Sequence, residues 1–253
     1  MSEPIKLALV TGGFRRLGGH IAGRLAQAGY ALALHGHKYS EPGEELAGTL
    51  KECGTQWFGF TYDFGHDSAA AALLDDVVQH FGRPPDLLVN SASVFDYDDA
   101  RTLDGASLEK HLRVNMTLPT LLTTALARLT PADQRASVVN IIDQRICNPN
   151  GDQLSYTLSK QALAASVRTL ANACADKLRV NGVAPGLTIP TEDYDAEQME
   201  RLTALMPLGR LSSPDDIASA VCYFAEAQSV TGQTLFVDGG AHMKSFERDF
   251  MFM

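Results

Sequence analysis

Short apolar runs alternate with longer stretches in which apolar residues recur every three or four positions, and this predicts strands and helices in turn. Leu7-Ala8-Leu9-Val10 stops at Thr11-Gly12-Gly13, as expected of a strand buried on both faces in a parallel sheet. The turn runs on through Phe14-Arg15-Arg16-Leu17-Gly18-Gly19 into a helical pattern over 20–29 that ends at a glycine. A second apolar segment, Tyr30-Ala31-Leu32-Ala33-Leu34, ends at His35-Gly36-His37-Lys38. Beyond it the pattern predicts a helix near 43–53, a strand at 56–60 with Asp63 just past its end, a helix over 68–80, a Pro84-Pro85 break and a strand at 86–90. One long amphipathic helix is predicted over 103–129, carrying Asn115, followed by a strand at 137–142. A helix bearing Tyr156 and Lys160 leads to a strand at 178–183 and then to Pro185-Gly186. A short helix at 195–205, a helix at 214–226 and a strand at 234–237 complete the series. The alternation implies a single doubly wound α/β domain: a parallel sheet of about seven strands, helices on both faces, and ligands at the carboxyl ends of the strands.

Composition narrows the class of partner. Of 253 residues, 45% are hydrophobic and 20% charged, which is ample material for one core. Lys plus Arg number 21 against 30 Asp plus Glu, a net charge of −9, and there is no basic run, which argues against nucleic acid and anionic membrane as partners. Cys53, Cys147, Cys174 and Cys222 are scattered, so neither a metal site nor a disulfide framework is expected. The start MSEPIKLALV lacks the apolar run of a signal peptide, and no stretch approaches eighteen consecutive apolar residues; a cytoplasmic protein is the expectation.

Strand, glycine turn and helix together cradle phosphate, because glycines let the backbone approach a pyrophosphate and the helix N-terminus offers free N–H groups. At the end of the second strand, where an acid would receive a ribose 2′-hydroxyl, none is present. Arg16, His35, His37 and Lys38 can instead converge on a 2′-phosphate, which favours NADPH over NADH. Tyr156 and Lys160 lie four apart among good helix formers and should share a helix face. An ammonium beside a phenol lowers its pKa and makes Tyr156 an acid or base usable near neutrality.

Thr11-Gly12 with Gly18, Asn90, Asn115, Tyr156-x-x-x-Lys160, Pro185-Gly186 and Val237-Asp238-Gly239-Gly240 fall in the order and spacing of the short-chain dehydrogenase/reductase family, which the whole chain resembles. The resemblance implies a nicotinamide cofactor, Tyr156 as proton donor or acceptor, Lys160 on the nicotinamide ribose, Asn115 holding a relay water, and a homotetramer. It also places Gly12, Leu17, Gly18, Asp63, Asn90, Pro185, Gly186 and Thr188 around the cofactor.

Three departures matter. Counting back thirteen residues from Tyr156, where the family usually has Ser, reaches Asp143; Arg16 replaces a turn glycine; and Asn90-Ser91-Ala92-Ser93 replaces the usual Asn-Asn-Ala-Gly. With Phe95 close behind and Thr188 after Pro185-Gly186-Leu187, these look like the pteridine reductase branch. By that resemblance Asp143 helps bind a pterin and deliver protons with Tyr156, Phe95 sandwiches the ring against the nicotinamide, and Ser93 and Arg16 contact cofactor or substrate. Leu187 and Thr188 open a substrate lid at 187–205. A carboxylate also accepts from the donor-rich edge of a pterin better than a hydroxyl does. The leading expectation is NADPH-dependent reduction of a dihydropterin, with dihydrofolate a further substrate. A carbonyl reductase of 3-oxoacyl thioesters or sugars is the alternative within enzymes, and a non-catalytic NADPH sensor is the alternative outside them. The tail at 241–253, ending Phe250-Met251-Phe252-Met253, is too apolar to leave wet, and a role across a subunit interface is expected of it.

Overall fold

In a computed structural model that describes residues 5–66, 68–189 and 194–253, the strands are β1 (Leu7–Thr11), β2 (Ala31–Gly36), β3 (Trp57–Thr61), β4 (Leu87–Asn90), β5 (Ala136–Ile141), β6 (Leu178–Pro185) and β7 (Thr234–Val237). They form one sheet in the order β3-β2-β1-β4-β5-β6-β7, parallel throughout. The helices are α1 (Arg16–Gln27), α2 (Glu44–Glu52), α3 (Ala69–Phe81), α4 (Gly105–Leu112), α5 (Leu118–Leu129), α6 (Leu154–Ala173), α7 (Ala196–Leu205) and α8 (Pro214–Glu226).

The period of two along each strand divides the core. Leu7, Leu9, Ala33 and Leu88 join one cluster with Leu73 of α3 and Leu122 of α5, whereas Ala8, Val10, Leu32, Leu34 and Val89 join another with Ile21 of α1 and Val221 of α8. Both sheet faces are therefore covered, which explains strands that read as continuous apolar runs.

The order reverses between β1 and β4, leaving a crevice at their carboxyl ends. Thr11 Oγ1 fixes this crevice by accepting from the backbone N–H of Ser91 and of Ala92, each at 3.0 Å.

Element placement follows the sequence pattern with two corrections. The first helix begins at Arg16, inside the glycine turn, rather than at His20. The single helix expected over 103–129 is broken: Asp104 caps α4 by accepting from Ser107 N–H, and a π-helical turn at Arg113–Thr117 separates α4 from α5. A π turn inserts one residue into the helical repeat and re-aims a side chain, here Asn115, toward the loop after β4 and α6. Periodicity could not show it, since the apolar face continues on either side.

Candidate active site

Along α6, Tyr156, Ser159 and Lys160 face inward and are buried. The start of this helix is held from outside it. Gln153, at the N-cap, sits in the left-handed region at φ 45°, and Asp98 from the loop after β4 accepts from Leu154 N–H with its carbonyl and from Ser155 N–H with its carboxylate. Asp98 thus satisfies helix donors that would otherwise be orphaned.

The Tyr156 hydroxyl donates to Asp143 Oδ2 at 2.8 Å. Burial first, and then the charge of Asp143, push the phenol well above its ordinary pKa of 10. The net direction is opposite to the lowering expected from Lys160. Lys160 Nζ donates to the carbonyl of Ile141 at 2.8 Å and stands 5.6 Å from the Tyr156 ring centre, and burial lowers its own pKa to about 8 against the opposing pull of Asp143. The phenol therefore holds its proton and offers it to a carboxylate.

Phe95 is exposed, with its ring edge-on to that of Tyr156 at 4.7 Å. Its accessible face beside the Tyr156–Asp143 pair suits a flat ligand. Asn115 is locked on all sides: its Oδ1 accepts from Val94 N–H at 2.8 Å and from Ser93 Oγ at 3.2 Å, while its Nδ2 donates to Val94 O and to Ser159 Oγ. It joins the β4 loop to α6 rather than standing open.

The glycine turn is tight for physical reasons. Gly12 has φ +64°, and a Cβ on Gly18 would sit 2.1 Å from the Gly12 carbonyl oxygen. Arg16 is in the left-handed region at φ 51° and exposed, close in sequence to Leu17, which packs partly on the core. Asn90 donates to Asn140 Oδ1 at 2.8 Å and leaves its own buried Oδ1 without a partner among the described residues. A crevice with bare backbone and an unpaired buried amide oxygen fits an extended polar cofactor. Pro185 closes β6. Gly186 passes so near β7 that a Cβ would meet Asp238 Cα at 2.9 Å, and Thr188 bonds Gly186 O and Ser212 Oγ.

His37 and Lys38 are exposed, with His37 Nδ1 3.6 Å from Asp63 Oδ1. His35 departs from expectation. It is 2% exposed, stacks on Phe64 at 4.0 Å, accepts from Gly12 N–H at Nδ1 and donates from Nε2 to Tyr62 O. With both ring nitrogens engaged it cannot reach a phosphate; it pins the glycine turn to the end of β2.

Burial lowers the His35 pKa to about 4. Between 6.5 and about 4 the unfolded chain binds a proton that the folded chain refuses, so stability falls as pH drops through that window. This one group should remove about 2 kcal/mol between pH 7 and 5. Urea unfolding at both pH values, on wild type and His35→Asn, checks it. The variant should lose about 2 kcal/mol less, and equal losses would refute the assignment.

The lid expected at 187–205 lies partly outside the described residues, at 190–193. Within them Leu187 packs partly against a cluster of Leu202, Met206, Ala241 and Phe250, and α7 occupies the predicted short helix. Sequence reasoning missed Arg145, which is buried and central. Its backbone N–H donates to Asp143 Oδ1 at 2.9 Å, its Nε lies 3.4 Å from the same oxygen, and its guanidinium stands 5.2 Å from the Tyr156 ring centre and 5.5 Å from that of Phe95. Its second charged partner, Asp249, comes from the C-terminal tail. Arg145 lies within the stretch that carries Asp143 and Tyr156, so proximity was a signal; for Asp249 the sequence held none.

The family model for enoyl-(acyl carrier protein) reductase matches residues 14–242. Among solved structures, the alternative dihydrofolate reductase FolM of Brucella canis, complexed with NADP, superposes with a TM-score of 0.88 at 38% identity, covering 96% of each chain. Among curated relatives, pteridine reductase 1 of Leishmania tarentolae is 31% identical over 282 residues, 94% of this chain and 97% of its own length. The 3-oxoacyl-[acyl-carrier-protein] reductase FabG of Pseudomonas aeruginosa is 32% identical over 250 residues, 96% and 100% respectively. A match of this extent, on a seven-stranded parallel sheet, shows that the chain belongs to the short-chain dehydrogenase/reductase family of oxidoreductases.

Proposed function

We propose that this chain is an NADPH-dependent reductase of a pterin, converting a dihydropterin to its tetrahydro form. The observation that carries the reading is the hydrogen bond from the Tyr156 hydroxyl to Asp143, a carboxylate where the family usually has a serine, with the exposed Phe95 ring beside it. A carboxylate there receives the ring N–H and amino donors of a pterin, and Phe95 gives the bicycle an aromatic face. The NADP carried by the FolM structure and the name of the Leishmania relative support the same reading.

NADPH, when bound, supplies the hydride. On this reading Gly12, Arg16, Leu17, Gly18, Asn90, Ser93, Pro185, Gly186 and Thr188 would hold it, with Asp63 toward the adenosine end. Lys160 would meet the nicotinamide ribose. Reduction of the pterin C=N bond needs one proton at nitrogen for each hydride at carbon. Tyr156 donates that proton from its hydroxyl, and the phenolate is reprotonated from solvent along its bond to Asp143. Asn115 bonds both the β4 loop and α6, so that Phe95 stays beside Tyr156.

Arg16 at the start of α1 and Lys38 just after β2 are both exposed and would hold the 2′-phosphate with His37. Arg16→Ala combined with Lys38→Ala should raise the KM for NADPH by tenfold or more, about 1.4 kcal/mol, and that for NADH little. Equal effects on both cofactors would remove the assignment.

The reading itself is tested by following NADPH oxidation with dihydrobiopterin, dihydrofolate and a 3-oxoacyl thioester. Turnover of the pterin alone, or of pterin and folate, supports it. Turnover of the thioester alone moves the chain to the carbonyl reductases, a second reading that the FabG relative favours.

A further inference from the structure

The C-terminal tail folds back on its own chain instead of fraying. Asp249 is 6% exposed and pairs with Arg145; its backbone N–H donates to Asp152 Oδ2 at 2.8 Å, and Arg248 Nε donates to the same oxygen at 2.7 Å. Two charges of the tail thus interlock with two of the segment between Asp143 and α6. Arg145 is fastened further by Gln153 Oε1 at 3.2 Å, at the N-cap of α6. The next residue of the tail, Phe250, is buried against Leu202 and Met206 at α7, and its carbonyl accepts from Gln198 Nε2 at 2.9 Å. Phe252 closes the far side, edge-on to Tyr97 at 5.5 Å in the loop that also carries Phe95. Three surfaces, the Asp143–Tyr156 pair, the helix α7 within the expected lid and the Phe95 loop, are therefore joined by the last five residues.

We propose that Arg145 and Asp249 are positioning residues for the reduction: the tail straps the lid helix to the segment carrying Asp143, and through Arg145 it fixes the carboxylate that receives the Tyr156 hydroxyl. The proposal rests on the roles given above to Tyr156 and Asp143, but not on the identity of the substrate. Buried and doubly paired, Arg145 has no freedom to act as a mobile substrate ligand. Its cation lies between two carboxylates, so Asp143 is held at Oδ1 while Oδ2 remains for the phenol. Without Asp249, Arg145 loses its deeper anchor and the Asp143 carboxylate is free to turn; a displacement of even 1 Å at a reacting group costs on the order of 100-fold in rate.

The test is Asp249→Asn, which keeps the shape and removes the charge. Arg145→Met and Arg145→Lys form a second pair, in which the lysine should recover part of what the methionine loses. Kinetics are run with whichever of dihydrobiopterin or a 3-oxoacyl thioester the wild-type chain reduces, so failure of the pterin reading does not disturb the test. The expected result for Asp249→Asn is a kcat lowered about 10- to 100-fold with the KM for NADPH within about twofold. The solvent deuterium isotope effect on kcat should rise, because proton delivery becomes slower than the remaining steps. Hydrogen exchange on the free protein, which needs no substrate, should quicken together in 144–153 and in 196–205 and stay unchanged in the sheet. Wild-type kcat, or a loss of activity that only tracks a lower Tm with the isotope effect unchanged, would overturn the proposal. Exchange that quickens in the tail alone would overturn the coupling to the lid. If Arg145→Met does not fold because it strands two buried carboxylates, Asp249→Asn and Arg145→Lys decide the matter by the same readings.

Discussion

Replacing Tyr156 by Phe is expected to lower kcat by about 1,000-fold with any substrate the chain reduces, the range set by removing a positioned general acid. The change deletes one atom that donates to Asp143 Oδ2. It leaves the ring in its edge-on contact with Phe95 and under the Arg145 guanidinium. Asp143 keeps the backbone N–H and the ionic contact of Arg145, so neither fold nor cofactor affinity should move much. NADPH binding, followed by the quenching of protein fluorescence, is expected to stay within about twofold of wild type. A variant retaining a tenth or more of wild-type kcat would take Tyr156 out of the proton-donating role. Because burial and Asp143 raise the phenol's pKa rather than lower it, the residue is protonated at neutral pH and has a proton to give.

The second large effect is selective. Asp143→Ser restores the residue that the family usually carries and is expected to reduce turnover of dihydropterin by about 100-fold or more, the scale of losing a charge-assisted partner in a reacting site. Reduction of a simple carbonyl should be little changed or improved, and NADPH affinity should be preserved. Arg145 keeps its pair with Asp249 in this variant, so the cost in stability is limited to the cavity and the lost ionic contact. Steady-state kinetics with both substrates on one preparation give the answer. Wild-type pterin kinetics in Asp143→Ser would remove the main ground for the pterin reading and leave the carbonyl reductases as the better assignment.

The two variants separate two kinds of residue. On the proposed reading, Tyr156 is machinery that any reductase of this design needs, and Asp143 selects what is reduced.

Much of this architecture was legible before any coordinates. A strand buried on both faces must be apolar throughout, and a glycine turn followed by a helix is the local code for a backbone that bends sharply, so β1, the Gly12–Gly18 turn and α1 could be read directly. Tyr156 and Lys160 share a face of α6 because 3.6 residues complete a turn, and that too is local. Less was legible at the π turn around Asn115, since a single inserted residue leaves the apolar stripe intact. His35 was misjudged for a similar reason. A histidine at the end of a strand reads as a basic group, whereas burial and two backbone partners make it neutral and structural.

By itself, then, the sequence determined the class of fold, the place of the glycine turn and the shared helix face of Tyr156 and Lys160, because these depend on hydrophobic period, turn chemistry and spacing within single elements. Only the tertiary structure decided the electrostatics of the pair at the centre and what holds it. The direction of the Tyr156 shift depends on burial, and the fastening of Asp143 depends on Arg145 and on Asp249, which lies 104 residues beyond Arg145. Both are sums over groups brought together from distant parts of the chain, and no local pattern along the sequence encodes them.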